Sequence, residues 1–422
     1  MVINMIDELL QQEAYLSYKF LMDHTVFDEN HPGCGLTLDR TSKDDMATIA
    51  ASGFMLSGLV IGVERGWDTY ETNLQRAYVT LKNFNENISN FLGIFVHYAD
   101  PRTGKRYKKC EYSTIDTALF LNGMLTVDTY FKEEKIHELV KSIYERIDWN
   151  IFTFKRRGHL QFRMAYNDIT GGDYLEENQH GWIYHWSMLA EQMTMYFLAA
   201  GSKDITNDDA LKLFMGFDRY SGGYNGHNYL YSPMGSLFVY QYSHAWLDFS
   251  KYLDTKGFDW FKNSQEAVVA NYEYCRDNQD RFKTFKDAWG LSACDGPKGY
   301  VSYGHPPFGW EDELNRDDLI ERTDGTIALY ALLSSLPFQP DLVKRTVKNV
   351  YEKFPTLFRE YGFIDSFNNE NGLWVGEDYL GIDKGITLLM IDNYYHGTTW
   401  KYYEENEIIK RGLQKLHFQR KE

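Results

Sequence analysis

Apolar residues recur at the spacing of an α-helix along most of this 422-residue chain, and the helical segments are of two alternating kinds. The first kind is apolar or small on nearly every side, which indicates a helix buried all round. The second has one apolar stripe and a charged back, which indicates a surface helix. Buried helices are predicted at 45–63, 114–131, 185–200, 325–336 and 384–400, with a further one starting near Gln241. Surface helices are predicted at 68–84, 134–147 and 341–354, others start near Asn207 and Asp259, and helices at 3–22 and 404–415 flank the set.

The alternation, repeated about six times, describes one ring of helices inside another. We therefore predict an all-α fold, an (α/α)6 barrel with inner and outer rings of six helices, formed by residues 1–422 as a single catalytic domain. Links from inner to outer helices are short, and links from outer to inner helices are long. The long links are 23–43, 86–113, 150–183, 221–240, 279–323 and 355–382. They must lie at the end where the inner helices start, and this end is the predicted active face because long ordered loops are usually functional.

Composition and charge exclude several classes of partner. The chain has 60 Asp and Glu against 44 Lys and Arg, a net charge of -16, and no long basic run, so we expect neither a nucleic-acid nor a membrane partner. The N-terminal segment is acidic and amphipathic, unlike a secretory signal, and no uninterrupted apolar window of about 18 residues occurs. These features predict a soluble, cytoplasmic protein.

The four cysteines, Cys34, Cys110, Cys275 and Cys294, lie far apart in sequence, with no CxxC pair and no histidine at ligand spacing. Neither a zinc site nor a disulfide framework is indicated, and reduced, buried thiols are predicted. No metal or other cofactor is expected.

Aromatic side chains make up 16% of the chain, and many of them fall in the long links. They either pack the loops onto the barrel or line a cleft together with the neighbouring acids, amides and histidines. Taken together they favour a cleft that binds sugars, because pyranose faces stack on rings and sugar hydroxyls need many hydrogen-bond partners. The loop aromatics are Tyr174, Trp182, Tyr224, Tyr229, Tyr231, Trp289, Tyr303, Trp310 and Trp374.

Acidic residues stand at or near the starts of the inner helices, and in a ring of helices they would converge on one central funnel. They are Asp44, Asp45, Glu111, Asp116, Glu191, Asp324 and Asp383. Helix capping alone would place acids at these positions, and that alternative stays open for the aspartates. Two carboxylates across a funnel, one protonated and one ionised, are the minimum for cleaving a glycosidic bond.

Glu191 differs from the other acids because it is predicted to lie about two turns inside an apolar helix, where capping cannot explain it. A buried glutamate without a partner has a raised pKa, which suits a general acid near neutral pH. The alternative is a buried ion pair, for which the candidate partners are Arg65, His185 and His244.

Two further segments of the predicted active face offer polar groups. "YQYSHAWLDF" places Gln241, His244 and Asp248 on one face of the predicted helix, and His244 is interpreted as a hydroxyl-binding residue. "WGLSACDGPKGY" is a turn rich in Gly and Pro that offers Asp295 and backbone groups to a ligand.

Eight stretches resemble, in order, the signature segments of glycoside hydrolase family 144 and of the related glucoamylase-like domain of cyclic β-1,2-glucan synthases. They are "IGVERGW", "CEYSTIDTALFLNG", "EQMTMYFLAAGS", "YQYSHAWLDF", "WGLSACDGPKGY", "DGTIALYALLSSLPF", "YGFIDSFN" and "GIDKGITLLMIDNY", between about residues 40 and 417. The resemblance implies an (α/α)6 barrel and an inverting, metal-independent hydrolase of β-1,2-linked glucan. It also implies that Glu191 is the proton donor and Asp383 the base that activates water.

The sequence therefore predicts a glycoside hydrolase that cleaves β-1,2-linked gluco-oligosaccharides with Glu191 and Asp383. Asp392, deeper in the same helix as Asp383, is predicted to be structural and buried against a partner such as Arg65. The predicted substrate-binding residues are Glu111, Asp116, Trp182, Gln241, His244, Trp289, Asp295, Tyr303, Trp310, Asp324 and Trp374. The alternatives are a transglycosylase, a hydrolase of another glycan, and a non-catalytic carbohydrate-binding protein.

Overall fold

The computed structural model describes residues 2–309 and 323–421 of the chain, and α-helices form most of its regular structure. Thirteen α-helices lie in this part of the chain: α1 (Val2–Asp23), α2 (Ile49–Glu64), α3 (Tyr70–Glu86), α4 (Thr114–Phe131), α5 (Glu134–Glu145), α6 (Met193–Gly201), α7 (Asn207–Phe214), α8 (Trp260–Asp277), α9 (Leu329–Ser334), α10 (Pro340–Lys353), α11 (Gly381–Tyr395), α12 (Thr398–Glu404) and α13 (Glu407–Lys415).

Buried helices alternate with one-sided helices along the chain, as the hydrophobic pattern predicts. Helices α2, α4, α6, α9 and α11 are buried over most of their residues. Helices α3, α5, α7, α8 and α10 bury one stripe and expose the other side. Helix α2 packs against α4 and α11, and α11 packs against α9 and α1. The buried helices therefore contact one another, and the amphipathic helices shield them from solvent.

Two glycines allow α2 and α4 to touch backbone to backbone. A Cβ atom added at Gly53 would lie 2.3 Å from the carbonyl oxygen of Leu119, and one added at Gly123 would lie 2.0 Å from the carbonyl oxygen of Gly53. These distances are too short for any side chain. The close contact brings the starts of α2 and α4, and the loops in front of them, side by side.

Short antiparallel strands occupy the long links, so the all-α prediction is too narrow. The strands are β1 (Ala47–Thr48), β2 (Asn90–Phe91), β3 (Ile94–Phe95), β4 (Tyr98–Asp100), β5 (Lys105–Arg106), β6 (Tyr112–Ser113), β7 (Thr153–Arg156), β8 (His159–Asn167), β9 (Gly181–His185), β10 (Tyr220–Tyr224), β11 (His227–Tyr231), β12 (Tyr252–Leu253), β13 (Ala293–Gly296), β14 (Gly299–Ser302), β15 (Ile327–Ala328), β16 (Phe358–Arg359), β17 (Gly362–Phe363), β18 (Ser366–Asn368), β19 (Trp374–Val375) and β20 (Gln419–Arg420). Their sheets run in the orders β1-β4-β5, β6-β8-β7 with β9 also on β8, and β15-β18-β19, and the other sheets are two-stranded. Backbone groups of a long loop need hydrogen-bond partners, and pairing with a neighbouring loop supplies them.

Two predicted helices are corrected by the structure. The helix predicted at 185–200 starts only at Met193, because His185 still belongs to β9. The inner helix predicted from Gln241 is instead a series of 3-10 turns at Leu237–Tyr240, Tyr242–Ala245 and Phe249–Lys251. The side chain of Asp248 accepts a hydrogen bond from the N–H of Ser250 at 3.1 Å, a local bond that competes with helix continuation.

One contiguous hydrophobic core runs through the described residues, from Ile6 in α1 to Leu416 after α13. Trp149, Trp246 and Trp289 are among the largest side chains that it buries completely. Across residues 2–309 and 323–421, every helix is too short or too polar to span a bilayer.

Candidate active site

The long links meet at the end of the molecule where the buried helices start. Strand β1, in front of α2, pairs with β4 of the next long link, and β6, in front of α4, pairs with β8 of the link after that. Strand β15, in front of α9, pairs with β18. A bridge between Arg40 and Leu380 joins the first and last of these links. The structure therefore brings four of the six long links together on one face: 23–43, 86–113, 150–183 and 355–382.

Glu191 lies in the turn just before α6, two residues ahead of Met193, and not inside a helix as predicted. The residue is partly buried, but its Oε2 atom is inaccessible to solvent and has no hydrogen-bond partner among the described residues. Burial, and to a smaller extent the charge of Asp116, raise the pKa of Glu191 to about 7. Its carboxyl group is therefore protonated over much of the range below neutral pH, the state that a general acid requires.

The structure does not support the alternative of an ion pair for Glu191. Arg65 pairs with Asp392 instead, with Nε and Oδ1 separated by 3.6 Å. His244 is buried and contacts Ser264, and burial lowers the pKa of its imidazole to about 3, so it is neutral. The first of these contacts confirms the prediction that Asp392 is a buried partner of Arg65.

Asp383 lies in the first turn of α11, and its closest acidic neighbour is Asp365, in the loop between β17 and β18. Both carboxyl groups are almost completely buried, at 2% and 4% exposure. Burial and the adjacent charge of Asp365 hold the pKa of Asp383 well above its usual range, and burial raises the pKa of Asp365 to about 6. Two carboxyl groups so close cannot both ionise at neutral pH, so the pair shares one proton and one negative charge. Sequence reasoning missed Asp365, although it lies in the quoted segment "YGFIDSFN".

Two adjacent residues of the 3-10 turn Tyr242–Ala245 contact the two catalytic candidates, one residue each. The hydroxyl of Tyr242 donates to Oδ1 of Asp383 at 3.3 Å. The hydroxyl of Ser243 donates to the backbone carbonyl of Glu191 at 2.7 Å. The charges of Asp383 and Glu191 both contribute to the raised pKa of Tyr242, after burial. Tyr242 and Ser243 therefore connect Asp383 with the backbone of Glu191.

Glu111 and Asp116 contact a partly buried histidine, His97, that no sequence motif singles out. Nδ1 of His97 lies 2.8 Å from Oε1 of Glu111, and Nε2 lies 3.8 Å from Oδ1 of Asp116. Burial opposes the charged imidazole, but Asp116 and Glu111 outweigh it and raise the pKa of His97 to about 9. Burial raises the pKa of Asp116, and its Oδ2 accepts a 2.5 Å hydrogen bond from Ser113, the residue that caps α4. Asp116 is thus not the helix cap.

Arg40 is a cation near the Asp365–Asp383 pair, and its charge partly offsets the burial that raises the pKa of Asp365. Its guanidinium lies 3.0 Å from Oδ2 of Asp39 and 3.1 Å from Oδ2 of Asp295. The backbone N–H of Asp295 donates to Oδ2 of Asp365 at 3.4 Å. Asp295 therefore lies next to Asp365, and its carboxylate is paired with Arg40.

Exposed tyrosines line the space above the acids. The ring of Tyr300 is 51% exposed, yet burial and the charges of Asp383 and Asp365 raise its pKa well above 10. Tyr174 is 62% exposed, and burial followed by the charges of Glu111 and Asp116 raises its pKa to about 12. Both tyrosines are therefore exposed residues near the acids, and we call the space that they border the funnel.

Three predicted ligand-binding residues lie in the core instead. Gln241 is fully buried, and its Nε2 donates to the carbonyl of Ala331 at 2.8 Å. His244 is enclosed by phenylalanines, with the ring of Phe249 4.7 Å away. Trp289 is 2% exposed and donates to a threonine of α10. All three predictions depended on loop or helix positions that fold inward, and a sequence pattern cannot distinguish such positions from exposed ones.

The remaining predicted residues hold loops in place or lie on strands beside the funnel. Tyr303 is buried and donates to Asp324 at 3.2 Å, and Asp324 also accepts from the N–H of Thr326. Trp182, on β9, stacks edge to face on the ring of Tyr166 at 5.0 Å. Trp374 is half-buried on β19, and Trp310 lies outside the described residues.

The cysteine prediction is confirmed: all four cysteines are free and buried. In the part of the chain that the structure describes, no group of three or more His, Cys, Asp or Glu side chains has the arrangement of a metal site.

Comparison with known proteins identifies the family of the chain. A family model described as "Putative glucoamylase" (Glycoamylase) matches residues 183–407, just over half of the chain. An exo β-1,2-glucooligosaccharide sophorohydrolase (non-reducing end) of Parabacteroides distasonis is 26% identical, and the match covers 91% of this chain and 55% of that protein. The chain thus spans about half the length of this curated relative.

Solved structures give the same result for the whole chain. An endo-β-1,2-glucanase of Chitinophaga pinensis, in complex with sophorotriose and glucose, superposes with a TM-score of 0.81 at 25% identity, covering 98% of each chain. A β-1,2-glucanase of Parabacteroides distasonis superposes with a TM-score of 0.81 at 24% identity, covering 99% of this chain and 60% of that one. Because the family model matches more than half of the chain, the chain belongs to the glucoamylase-like family, in agreement with the resemblance noted in the sequence.

Proposed function

We propose that this protein hydrolyses β-1,2-linked gluco-oligosaccharides, with Glu191 as general acid and the Asp365–Asp383 pair as general base. The observation that carries the proposal is that two acidic groups near Tyr242 have different pKa values. One is a single glutamate with a pKa of about 7, and the other is a pair of aspartates that shares one proton. Environments that separate the pKa values of acidic groups assign the acid and base roles in hydrolases.

The acid step uses the proton on Glu191. As the bond between the anomeric carbon and the glycosidic oxygen breaks, the carboxyl group gives its proton to that oxygen, and the leaving sugar departs as an alcohol. The ionised Glu191 that remains is buried and close to Asp116, so the site favours its reprotonation from solvent. A substrate that displaces water from the funnel strengthens this preference for the neutral acid.

The base step uses the single negative charge of the aspartate pair. A water molecule attacks the anomeric carbon from the face opposite the leaving group, and one of its protons passes to the pair. Asp383 receives that proton while the proton it already shares moves to Asp365, and both groups end neutral. The attack inverts the anomeric configuration, in agreement with what the family resemblance implies.

The packing of the helices supports the finer description of the fold as an (α/α)6 barrel. The buried helices contact each other in the order α6, α4, α2, α11, α9. The 3-10 turn Tyr242–Ala245 contacts α11, and the flanking 3-10 turns Leu237–Tyr240 and Phe249–Lys251 contact α8. An inner ring with one irregular member would direct Tyr242 and Ser243 towards the acids. A regular helix would present one side chain per turn to the same space.

The choice of the β-1,2 linkage is supported by the relatives. The sophorohydrolase and the endo-β-1,2-glucanase are both named for this linkage, and they match 91% and 98% of this chain. Their names carry over to this chain as part of the proposal, which a substrate panel tests directly.

The experiment is incubation of the purified protein with β-1,2-, β-1,3-, β-1,4- and α-1,4-linked gluco-oligosaccharides, followed by chromatography of the products. We expect cleavage of the β-1,2 series alone. Glu191→Gln, Asp383→Asn and Asp365→Asn should each lower kcat by about 10² to 10⁴ while the melting temperature stays within a few degrees. Asp392→Asn is the matched control, because it removes a buried aspartate of the same helix that pairs with Arg65 on the far side of the site. Full turnover by the Glu191 and Asp383 variants would refute the assignment.

A further inference from the structure

A groove opens beside the funnel, and the proposed chemistry does not use it. Its volume is about 440 Å³, within the range of small-molecule sites. Six residues line it, and we name it the Tyr107 groove: Met46, Tyr98, Tyr107, Lys108, Lys109 and Asp173. A larger cavity of about 1070 Å³ lies between α5 and α13, and its lining shares no residue with the candidate active site.

Tyr98 lies between the Tyr107 groove, which it lines, and His97, which contacts Glu111 and Asp116. The ring of Tyr98 stacks on His97, with ring centres 3.8 Å apart. The charges of Asp39, Asp116 and Glu111 add to burial in raising the pKa of Tyr98. A ligand that extends from the acids past Tyr98 therefore enters the Tyr107 groove.

A second connection runs through the loop that carries Tyr174. The N–H of Asp173 donates to the carbonyl of Lys109 at 3.1 Å, and the side chain of Asn167 donates to the same carbonyl at 2.9 Å. Lys109 stands two residues before Glu111. These bonds hold Asp173, which lines the groove, and so place Tyr174, the next residue along the chain, at its edge, where Tyr174 is 62% exposed.

The walls of the groove are built before any ligand binds. Lys108 and Tyr174 both adopt the left-handed backbone conformation, with φ of 48° and 65°, which non-glycine residues hold only where the surrounding structure enforces it. Tyr107 is held by its hydroxyl, which donates to Asp45 at 3.4 Å, and by the ammonium of Lys108 at 4.7 Å from its ring centre. The turn is closed by the N–H of Cys110, which donates to the carbonyl of Tyr107.

We propose that the Tyr107 groove binds glucosyl units of the substrate away from the cleaved bond, with Tyr107 and Tyr174 as specificity-determining residues that set the preferred chain length. The proposal depends on the proposed function. Aromatic rings offer stacking faces, and the lysine ammoniums and the Asp173 carboxylate offer donors and acceptors for hydroxyls. Binding energy from remote units is used at the reacting centre, so a longer substrate that fills the groove should be cleaved more efficiently.

The test measures kcat/KM over a ladder of β-1,2-gluco-oligosaccharides, from the shortest that wild type cleaves upward, for wild type, Tyr107→Ala and Tyr174→Ala. We expect wild-type efficiency to rise with chain length to a plateau, and each variant to lose about tenfold more efficiency on long substrates than on the shortest. Tyr107→Phe, which keeps the ring, should retain the length dependence. Tyr351→Ala, an exposed tyrosine on α10, is the matched control.

Two outcomes would contradict different claims. If wild type cleaves the ladder but Tyr107→Ala and Tyr174→Ala, folded by their melting temperatures, lose nothing or lose equally at every length, the groove assignment is wrong. If wild type cleaves no member of the ladder, the proposed function itself fails, and the groove assignment falls with it.

Discussion

Replacing Glu191 by Gln removes one of the most strongly perturbed acids of the site and should make the protein more stable at high pH. The unfolded chain ionises this glutamate near its ordinary pKa of 4.5, whereas the folded chain holds the proton up to about pH 7. The folded state therefore binds more protons between these values, and wild type loses stability as pH rises through the interval. The loss is absent below pH 4.5 and complete above pH 7.

The structure gives the size of this effect. Each pH unit between the two pKa values corresponds to about 1.36 kcal/mol, so the cost in wild type above neutral pH is about 3 kcal/mol. An unfolding entropy of about 2.1 cal/mol/K per residue gives a 422-residue protein about 0.9 kcal/mol/K. Removing the cost should then raise Tm by ~3 °C at pH 8 and by less than ~1 °C at pH 5.

The assay is thermal unfolding of wild type and Glu191→Gln at both pH values, followed by tryptophan fluorescence or calorimetry. Glu177→Gln, on the exposed loop before β9, is the matched control for removing one carboxylate at the surface. An equal Tm difference between wild type and Glu191→Gln at pH 5 and pH 8 would refute the claim that Glu191 is buried as a neutral acid.

Three further predictions follow from the same contacts. The pH profile of kcat/KM should be bell-shaped. It should fall below about pH 6, where the aspartate pair loses its negative charge, and above about pH 7, where Glu191 ionises. A profile that is flat from pH 5 to 9 would contradict both assignments. His97→Gln should lower Tm at pH 7, because charged His97 stabilises the fold fully below pH 6.5 and this stabilisation is lost as pH rises through about 9. The Tm difference from wild type should therefore shrink by pH 10. A Tm difference that stays constant with pH would count against the ion pairs. Gly123→Ala should destabilise the fold by about 1–3 kcal/mol, because its Cβ would overlap the carbonyl of Gly53, and an unchanged melting curve would show that α2 and α4 can separate freely.

The sequence predicts helices well where burial on one face or on all faces gives the apolar residues a clear helical spacing. Helix α4 begins and ends at Thr114 and Phe131, as predicted, and α10 differs from its prediction by one residue at each end. The segment around Gln241 is apolar enough for an inner helix, but its amide side chain bonds to α9 and the turn at Asp248 closes on itself. Such tertiary and local bonds override a weak helical preference, and they leave no mark in the hydrophobic pattern.

The candidate site was predictable only where a residue is unusual for its position. Glu191 stands out in an apolar run, and Asp383 stands at the start of one. Asp365 and His97 lie in loops where polar residues are common, and they become distinctive only when folding places them against another buried charge. The aromatic residues of the loops were harder to assign, because a loop aromatic can pack into the core, as Trp289 does, or stay exposed, as Tyr300 does.

The central claim is a single-step displacement in which Glu191 gives a proton and the Asp365–Asp383 pair takes one from water. The most direct test is ¹H NMR of the reducing end first released from a β-1,2-gluco-oligosaccharide, recorded before mutarotation mixes the anomers. The account predicts the α-anomer as the initial product. Initial release of the β-anomer would mean a retaining reaction with a covalent intermediate, and it would contradict the assignment of the aspartate pair as a base.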